Sequence, residues 1–165
     1  MPILDAHALE FFSRSPEQTR RLGIRLGALL RPGDLVCLQG DLGAGKTTLV
    51  QGVAQGWGAL DAVSSPTFVL VNAYRRPDSS QLFHFDAYRI DSPAEAEELD
   101  MDNLLTQGPL LVEWPERVEP ILPAERLWAW LEYESEEHRA MRFKACGNRY
   151  EALLDGLRRE LYGVE

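Results

Sequence analysis

The sequence lacks the features that mark several large classes of protein. Its two cysteines, Cys37 and Cys146, are too few for a disulfide framework, and no set of residues has the spacing of zinc ligands. No apolar segment approaches membrane-spanning length. The amino terminus carries Asp5 and Glu10 where a signal peptide needs a basic start and an apolar run. We therefore expect a cytoplasmic protein that makes no use of a membrane.

Positive charge is scarce as well. Lys and Arg number 17 against 26 Asp and Glu, so the formal net charge is −9. A protein that binds a nucleic-acid backbone normally clusters its basic residues, whereas the adjacent arginines here form separated pairs at 20–21, 75–76 and 158–159. If the chain serves an RNA pathway, we expect it to act there through a protein partner.

What the chain does contain is a phosphate-binding loop. Residues 40–47 read Gly-Asp-Leu-Gly-Ala-Gly-Lys-Thr and fit the pattern G-x-x-x-x-G-K-[ST] at every required position. The glycines let the backbone approach a polyphosphate, Lys46 neutralises β- and γ-phosphate oxygens, and the Thr47 hydroxyl holds Mg²⁺. A short apolar run precedes the loop and apolar residues at helical spacing follow it, as the motif requires. The sequence therefore predicts binding of a nucleoside triphosphate.

The pattern of apolar and turn residues predicts an α/β fold. Ser15, Pro16 and Gln18 are typical of a capped helix start. Strands are predicted at 35–38, 67–74, 81–86 and 110–112, a late hairpin at 127–133 and 142–145, and a final helix at about 149–161. The short turn before residue 81 makes that strand pair antiparallel. We expect one domain over residues 1–165, with a three-layer P-loop NTPase-type fold and a mixed parallel/antiparallel central sheet.

Two acidic residues at predicted strand ends are candidates for the metal site. A P-loop needs a carboxylate at the end of a neighbouring strand to hold Mg²⁺, directly or through water. Glu113 follows an apolar run, and Asp86 ends another in the same manner. Each could instead be an ordinary turn or cap residue. We favour Glu113 for the metal, with Asp86 either in the metal's water shell or orienting the attacking water.

Three further features allow two interpretations each. His84 shares a strand face with Asp86, and we interpret it as a hydrogen-bonded structural histidine in preference to a catalytic one. The segment Ser64–Thr67 is either a switch that reaches the γ-phosphate or a hydroxyl-rich turn braced by proline. Trp114 is a core or a surface ring, and in either case it is placed to report on nucleotide binding.

Missing motifs narrow the class of nucleotide-binding protein. The sequence has no Asn-Lys-x-Asp guanine-reading motif and no glycine-rich signature of transporter ATPases. A small-molecule kinase needs a basic lid that closes over two substrates, and no arginine-rich insertion supplies one. A GTPase of the common kind and a transporter ATPase are therefore disfavoured, and a kinase is a remote alternative.

Four motifs in order resemble the TsaE family, formerly called YjeE. They are the loop at 40–48, Ser-Pro-Thr-Phe at 65–68, His-Phe-Asp-Ala-Tyr-Arg at 84–89 and Glu-Trp-Pro-Glu at 113–116. The P-loop alone is shared by many families, whereas the last two motifs are specific. One departure is Asp100, which follows a Glu-Leu pair where many relatives place a glycine. The family consists of small bacterial ATPases required for threonylcarbamoyladenosine modification of tRNA.

The resemblance implies a cofactor, a reaction and a partner. The nucleotide is ATP with Mg²⁺, and it is hydrolysed to ADP and phosphate, slowly by the protein alone and faster with partners. The partner is a TsaB–TsaD heterodimer, in which TsaD carries out carbamoyl transfer to adenosine 37 of tRNAs reading ANN codons. Contact with tRNA is then only indirect.

The resemblance also implies residue roles. It places Mg²⁺ on Thr47 and Glu113 and makes Asp86 important for hydrolysis. Together with the reasoning from the motifs, the candidates for hydrolysis are Lys46, Asp86 and Glu113, and Asp86 is a further candidate for the metal. The nucleotide is bound by Gly43, Ala44, Gly45, Lys46, Thr47 and Thr48, by the switch residue Thr67, by Trp114, and on the adenine side by Ser15, Thr19 and Arg139. An alternative function is an ATP-dependent assembly module in which hydrolysis is incidental.

Overall fold

The computed structural model describes residues 6–63 and 71–163. The elements in chain order are β1 (Ala8–Ser13), α1 (Pro16–Leu29), β2 (Leu35–Gln39), α2 (Lys46–Trp57), β3 (Val71–Arg75), β4 (Gln81–Asp86), α3 (Pro93–Glu97), α4 (Met101–Gln107), β5 (Leu110–Glu113), β6 (Arg126–Tyr133), β7 (Arg139–Cys146) and α5 (Asn148–Tyr162). Two 3₁₀ turns, Pro115–Arg117 and Glu119–Ile121, connect β5 to β6. None of the described helices is long and apolar enough to cross a membrane.

The strands form one mixed sheet in the order β1-β7-β6-β2-β5-β4-β3. The central strands β6, β2, β5 and β4 run parallel to one another. The outer pairs β1–β7, β7–β6 and β4–β3 are antiparallel. The mixed sheet predicted from the sequence is confirmed, including the antiparallel hairpin of β3 and β4.

Helices cover both faces of the sheet, which confirms the three-layer prediction. Alternation along β2 sends Val36 and Leu38 into a core shared with α1, α2 and α5. Leu35 and Cys37 point to the opposite face, where they pack with the short helices α3 and α4 and the 3₁₀ turns. Burial raises the pKa of the Cys37 thiol to about 12, so this cysteine is a protonated core residue.

The backbones of α1 and α2 approach each other through glycines. A Cβ on Gly27 of α1 would lie 2.0 Å from the Val53 carbonyl oxygen, and one on Gly56 of α2 would lie 1.9 Å from the Ile24 carbonyl oxygen. No side chain can be accommodated at such distances. The contact therefore fixes the start of α1 relative to the start of α2, where the phosphate-binding loop ends.

The structure differs from the sequence-based prediction at three strands. The strand β1 was not predicted, and it pairs along its whole length with β7. The strand β7 begins at residue 139 and not at 142. The predicted strand at 67–74 is described only as β3, and residues 64–70 lie outside the described residues.

Candidate active site

The phosphate-binding loop links β2 to α2 in a conformation that requires glycine. Gly43 has a φ of +84° and Gly45 a φ of +98°, and side-chain-bearing residues rarely adopt such values. The Ala44 amide donates to the Asp41 carbonyl at 3.0 Å, which tightens the loop. Gly45 caps α2 and has no side chain that could accept from the first amides of the helix. This arrangement is suited to an anion.

Lys46 begins α2 as a buried ammonium group without a hydrogen-bond partner among the described residues. Its Nζ lies 4.0 Å from the centroid of the Trp114 ring. Burial lowers the pKa of Lys46, and the nearby carboxylates of Glu113 and Asp86 oppose that shift. An unsatisfied buried cation is costly, and phosphate oxygens would supply the missing acceptors. Thr47, which follows, is exposed and Thr48 is half-buried.

Asp86 and Glu113 are register partners at the carboxyl ends of the neighbouring parallel strands β4 and β5. Glu113 is buried and Asp86 is half-buried. Burial raises the pKa of Asp86, the Tyr88 amide that donates to its Oδ1 at 2.9 Å lowers it, and the charge of Glu113 raises it further. The two sequence-predicted acids are thus brought together on the side of the sheet that carries Lys46.

His84 is hydrogen-bonded at both ring nitrogens, and one partner is Glu113 itself. The Nε2–Oε2 distance to Glu113 is 2.6 Å, and the Nδ1–Oη distance to Tyr74 is 3.1 Å. The bonded histidine was expected, but neither partner was predicted. The only sequence signal was the shared strand face of His84 and Asp86.

The aromatic residue after Glu113 has an uncommon backbone conformation. Trp114 has a φ of +57°, which is sparsely populated by residues that carry a Cβ. Its ring lies 5.0 Å from that of Tyr88, between Lys46 on one side and the Arg117 guanidinium 5.7 Å away. Strained residues of this kind cluster at functional sites.

The residues predicted on the adenine side lie around the start of α1 and the start of β7. Ser15 caps α1, since its Oγ accepts from the Gln18 amide at 3.2 Å. Thr19 is buried, and its hydroxyl is 2.7 Å from that of Ser13, a residue that the prediction missed. Ser13 in turn pairs with Arg139 across β1 and β7.

Arg139 reaches the phosphate-binding loop. Its Cγ lies 3.5 Å from the position that a Cβ on Gly45 would occupy. Its Nη1 donates to the backbone carbonyls of the turn at 135–138, and its buried Nε has no hydrogen-bond partner among the described residues. The structure therefore brings Arg139 to Gly45, whereas Thr67 falls outside the described residues.

The oxygen donors of the site fit Mg²⁺ shared with a nucleotide. Mg²⁺ takes one or two carboxylates together with water and phosphate oxygens. Thr47, Asp86 and Glu113 offer one hydroxyl and two carboxylates of this type. Over 6–63 and 71–163, no group of three or more His, Cys, Asp or Glu residues could hold a metal ion by itself. The residues thus suit a cation that phosphate oxygens help to bind, and not a cage made of protein alone.

Comparison with known proteins identifies close relatives. The family model described as "Threonylcarbamoyl adenosine biosynthesis protein TsaE" matches residues 13–142. The tRNA threonylcarbamoyladenosine biosynthesis protein TsaE of Bacillus subtilis is 40% identical over 152 residues, which are 92% of this chain and 94% of that protein. The protein of the same name from Streptomyces coelicolor is 47% identical over 110 residues, 66% of this chain and 74% of that protein.

A solved structure has the same architecture. The crystal structure of Bacillus subtilis YdiB matches with a TM-score of 0.77 and 35% sequence identity, covering 93% of this chain and 95% of that one. The family-model match extends from the strand before α1 to the middle of β7, so it includes the loop, both acids and Arg139.

Proposed function

The chain belongs to the TsaE family of threonylcarbamoyl adenosine biosynthesis proteins, and from this premise we propose that it is an ATP-hydrolysing subunit in tRNA modification. The observation that carries the proposal is the buried Lys46 ammonium, which has no hydrogen-bond partner among the described residues and lies beside two strand-end carboxylates. An anion bound together with a metal cation would satisfy both the Lys46 ammonium and the two carboxylates. A nucleoside triphosphate with Mg²⁺ is such a ligand.

We assign the residues as follows. The backbone amides of the loop from Gly43 to Thr48 bind the phosphates, Lys46 binds β- and γ-phosphate oxygens, and Thr47 and Glu113 hold Mg²⁺. When bound, Mg²⁺ neutralises charge that develops on the phosphate oxygens. Asp86 accepts a hydrogen bond from the attacking water and orients it.

The reaction is hydrolysis at the γ-phosphorus. The water oxygen bonds to phosphorus, the bond to the β–γ bridging oxygen breaks, and ADP leaves with the electron pair. The proton of the water passes to phosphate or solvent. ATP is proposed over GTP because the guanine-reading motif is missing, and Ser15, Thr19 and Arg139 are proposed for the adenine side.

The proposed partner is a cytoplasmic TsaB–TsaD heterodimer that stimulates turnover and contacts tRNA in place of this chain. The net charge of −9 supports the indirect role, because an acidic protein is repelled by a nucleic-acid backbone. The whole chain, residues 1–165, acts in this proposal as one ATPase domain.

The test compares the chain's two lysines. Phosphate release is measured with and without TsaB–TsaD for the wild type, Lys46→Ala and Lys144→Ala, the second being the exposed lysine of β7. We expect Lys46→Ala to reduce turnover at least about a hundredfold and Lys144→Ala to leave it unchanged. Full partner-stimulated turnover in Lys46→Ala would falsify the proposal.

A second function, an ATP-dependent assembly module, is favoured by two exposed apolar side chains. Leu42 in the loop is 77% exposed, and Tyr88, two residues after Asp86, is 44% exposed. A contiguous exposed apolar patch marks a surface that a protein partner covers, and we propose that Leu42 and Tyr88 belong to such a patch. If Asp86→Ala binds ATP and still supports repeated rounds of tRNA modification, hydrolysis is incidental and the assembly-module function is correct.

A third alternative is a small-molecule kinase. Transfer of labelled γ-phosphate from ATP to a metabolite would indicate that function.

A further inference from the structure

A chain of hydrogen bonds links three neighbouring strands behind the candidate metal site. It runs from Tyr74 on β3 through His84 on β4 to Glu113 on β5. All three side chains are buried, with exposures of 3%, 2% and 7%. Because the three side chains are buried, water is kept from these hydrogen bonds, and the bonds are stronger than they would be at the surface.

The chemistry of the groups fixes the direction of the bond to the acid. A carboxylate that binds Mg²⁺ is ionised and only accepts hydrogen bonds, so in the proposed site the Nε2–H of His84 donates to Oε2 of Glu113. The hydroxyl of Tyr74 binds the other ring nitrogen and so holds the imidazole in plane. One oxygen of Glu113, Oε2, is therefore engaged by His84, and the proposed metal would bind the other oxygen, Oε1.

The neighbouring lysine does not pair with Glu113, although their charges are opposite. The ammonium of Lys46 feels the charge of Glu113, and opposite charges in a buried site attract strongly. Among the described residues, however, Lys46 has no carboxylate within ion-pair distance and lies over the Trp114 ring. The hydrogen-bond partner of the Glu113 carboxylate among the described residues is therefore His84, and not the nearby lysine.

We propose that His84, oriented by Tyr74, is a positioning residue that holds Glu113 so that its free oxygen faces the Mg²⁺ of the bound nucleotide. This inference rests on the proposed function, because it takes the assignment of Mg²⁺ to Glu113 from there. Hydrogen bonds to a ligating carboxylate typically change metal affinity or activity about 10- to 100-fold.

The experiment measures how much Mg²⁺ tightens the binding of a non-hydrolysable ATP analogue. Affinity is determined in Mg²⁺ and in EDTA, and the ratio of the two is the readout. We expect His84→Phe to lower this ratio at least about tenfold. His84→Gln should retain most of it, because its amide can donate to Glu113 and accept from Tyr74. A merely structural role would change the unfolding midpoint and not this ratio.

A double variant tests whether His84 acts through Glu113. In a Glu113→Gln background, which has already lost the carboxylate, His84→Phe should lower the ratio by no more than about twofold. A loss as large as that in the wild-type background would overturn the inference. So would a folded His84→Phe variant with the wild-type ratio, or a His84→Gln variant as defective as His84→Phe.

The tyrosine supplies a milder variant should His84→Phe fail to fold. Tyr74→Phe removes only the hydroxyl and should lower the ratio about threefold. Its matched control is Tyr150→Phe, which removes a buried hydroxyl bonded to the Leu35 amide at the opposite end of the sheet and should leave the ratio unchanged. Equal ratios in the two tyrosine variants would refute the positioning role.

Different experimental results would contradict the positioning role of His84 and the proposed function. A wild-type chain that binds the analogue more tightly with Mg²⁺ but releases no phosphate would contradict hydrolysis and leave the test of His84 intact. Normal hydrolysis that depends on Lys46, with a ratio that His84 does not affect, would refute the positioning role alone.

Discussion

On the face of the sheet that carries α1 and α2, two long helices pack backbone against backbone, while on the opposite face short helices and turns contribute a core of side chains. Glycines at 23, 27, 52 and 56 bring the two long helices so close that any added Cβ would lie within 2.5 Å of a carbonyl oxygen. The opposite core instead consists of side chains from α3, α4 and the 3₁₀ turns, packed on the sheet.

The close packing of α1 and α2 also positions the candidate residues of the site. Ser15 and Thr19 at the start of α1 and Lys46 at the start of α2 are the adenine-side and phosphate-side candidates, so their separation is set by the glycine contact. The opposite face contributes Trp114, whose left-handed backbone lies at the end of β5. We infer that the nucleotide is held by the face that carries α1 and α2. We expect substitutions in the glycine contact between these helices to change stability more than substitutions in the site itself.

The largest expected effect on stability comes from breaking the glycine contact. Gly56→Ala would place a Cβ 1.9 Å from the Ile24 carbonyl oxygen, and only separation of the helices relieves such a clash. We expect a loss of about 3 kcal/mol in the free energy of unfolding, measured by denaturant titration, although alanine favours a helix by about 1 kcal/mol.

The control for this substitution is another helical glycine. Gly156 lies within α5, and a Cβ there would be 3.4 Å from the end of the flexible Leu29 side chain. Gly156→Ala should therefore be neutral or stabilise by up to about 1 kcal/mol. If Gly56→Ala is as stable as Gly156→Ala, the helices are not in backbone contact.

On the opposite face, we expect a cavity to cost less stability than the clash between α1 and α2. Ile90 is buried next to α3, and Ile90→Ala removes three carbons from that core. We expect a loss of about 2 kcal/mol in the free energy of unfolding, at the low end for such truncations, because short helices can move inward. Ile90→Val should lose about 1 kcal/mol or less. A loss for Ile90→Ala that equals that of Gly56→Ala would remove the distinction between the two faces.

The sequence predicts best those elements that have strong local patterns. The predicted strand at 81–86 agrees with β4 at both ends, and Ser15 caps α1 as expected. The strand β1 was missed because it lies at an edge, exposes half of Phe12 and pairs with β7, which is distant in sequence. Asp100, found where relatives place glycine, has a φ of +50°, so the departure preserves a left-handed turn.

The same reasoning explains what could be predicted of the site. Asp86 and Glu113 end buried runs, Lys46 follows the loop at the end of another, and strand ends in a parallel sheet meet at one edge. The bond between His84 and Glu113 depends on strand register and on side-chain direction, which the sequence pattern does not specify. Arg139 was predicted only by resemblance, and its approach to Gly45 depends on the register of β1, β7 and β6.

The residues that precede α1 and α3 allow a comparison of the two faces with a smaller expected effect on stability. Ser15 caps α1 with a side-chain hydrogen bond, whereas Ser92, the residue before α3, makes no such bond to its helix. We expect Ser15→Ala to lower the free energy of unfolding by about 1 kcal/mol and Ser92→Ala by less than about 0.5 kcal/mol. Thermal and denaturant unfolding of the two variants check this. Equal losses would mean that the caps on the two faces do not differ.

A small change in stability is also expected at Asp86, at the carboxyl end of β4. Burial raises the pKa of Asp86, so the ionised form destabilises the folded state once the pH exceeds that pKa. Asp86→Asn mimics the protonated form and keeps the acceptor for the Tyr88 amide. It should stabilise at pH 7, by less than about 1 kcal/mol because the group is half-exposed.

This gain has a defined pH dependence. Below about pH 4, the ordinary pKa of aspartic acid, both the folded and the unfolded wild type are protonated and the difference from Asp86→Asn vanishes. Partner-stimulated ATP turnover at pH 7 should meanwhile fall about a hundredfold, since the group proposed to orient water is lost. Denaturant titrations at pH 3 and pH 7 measure the first effect, and phosphate release measures the second. A variant less stable than the wild type at pH 7 would mean that the ionised Asp86 stabilises the fold, which contradicts a raised pKa.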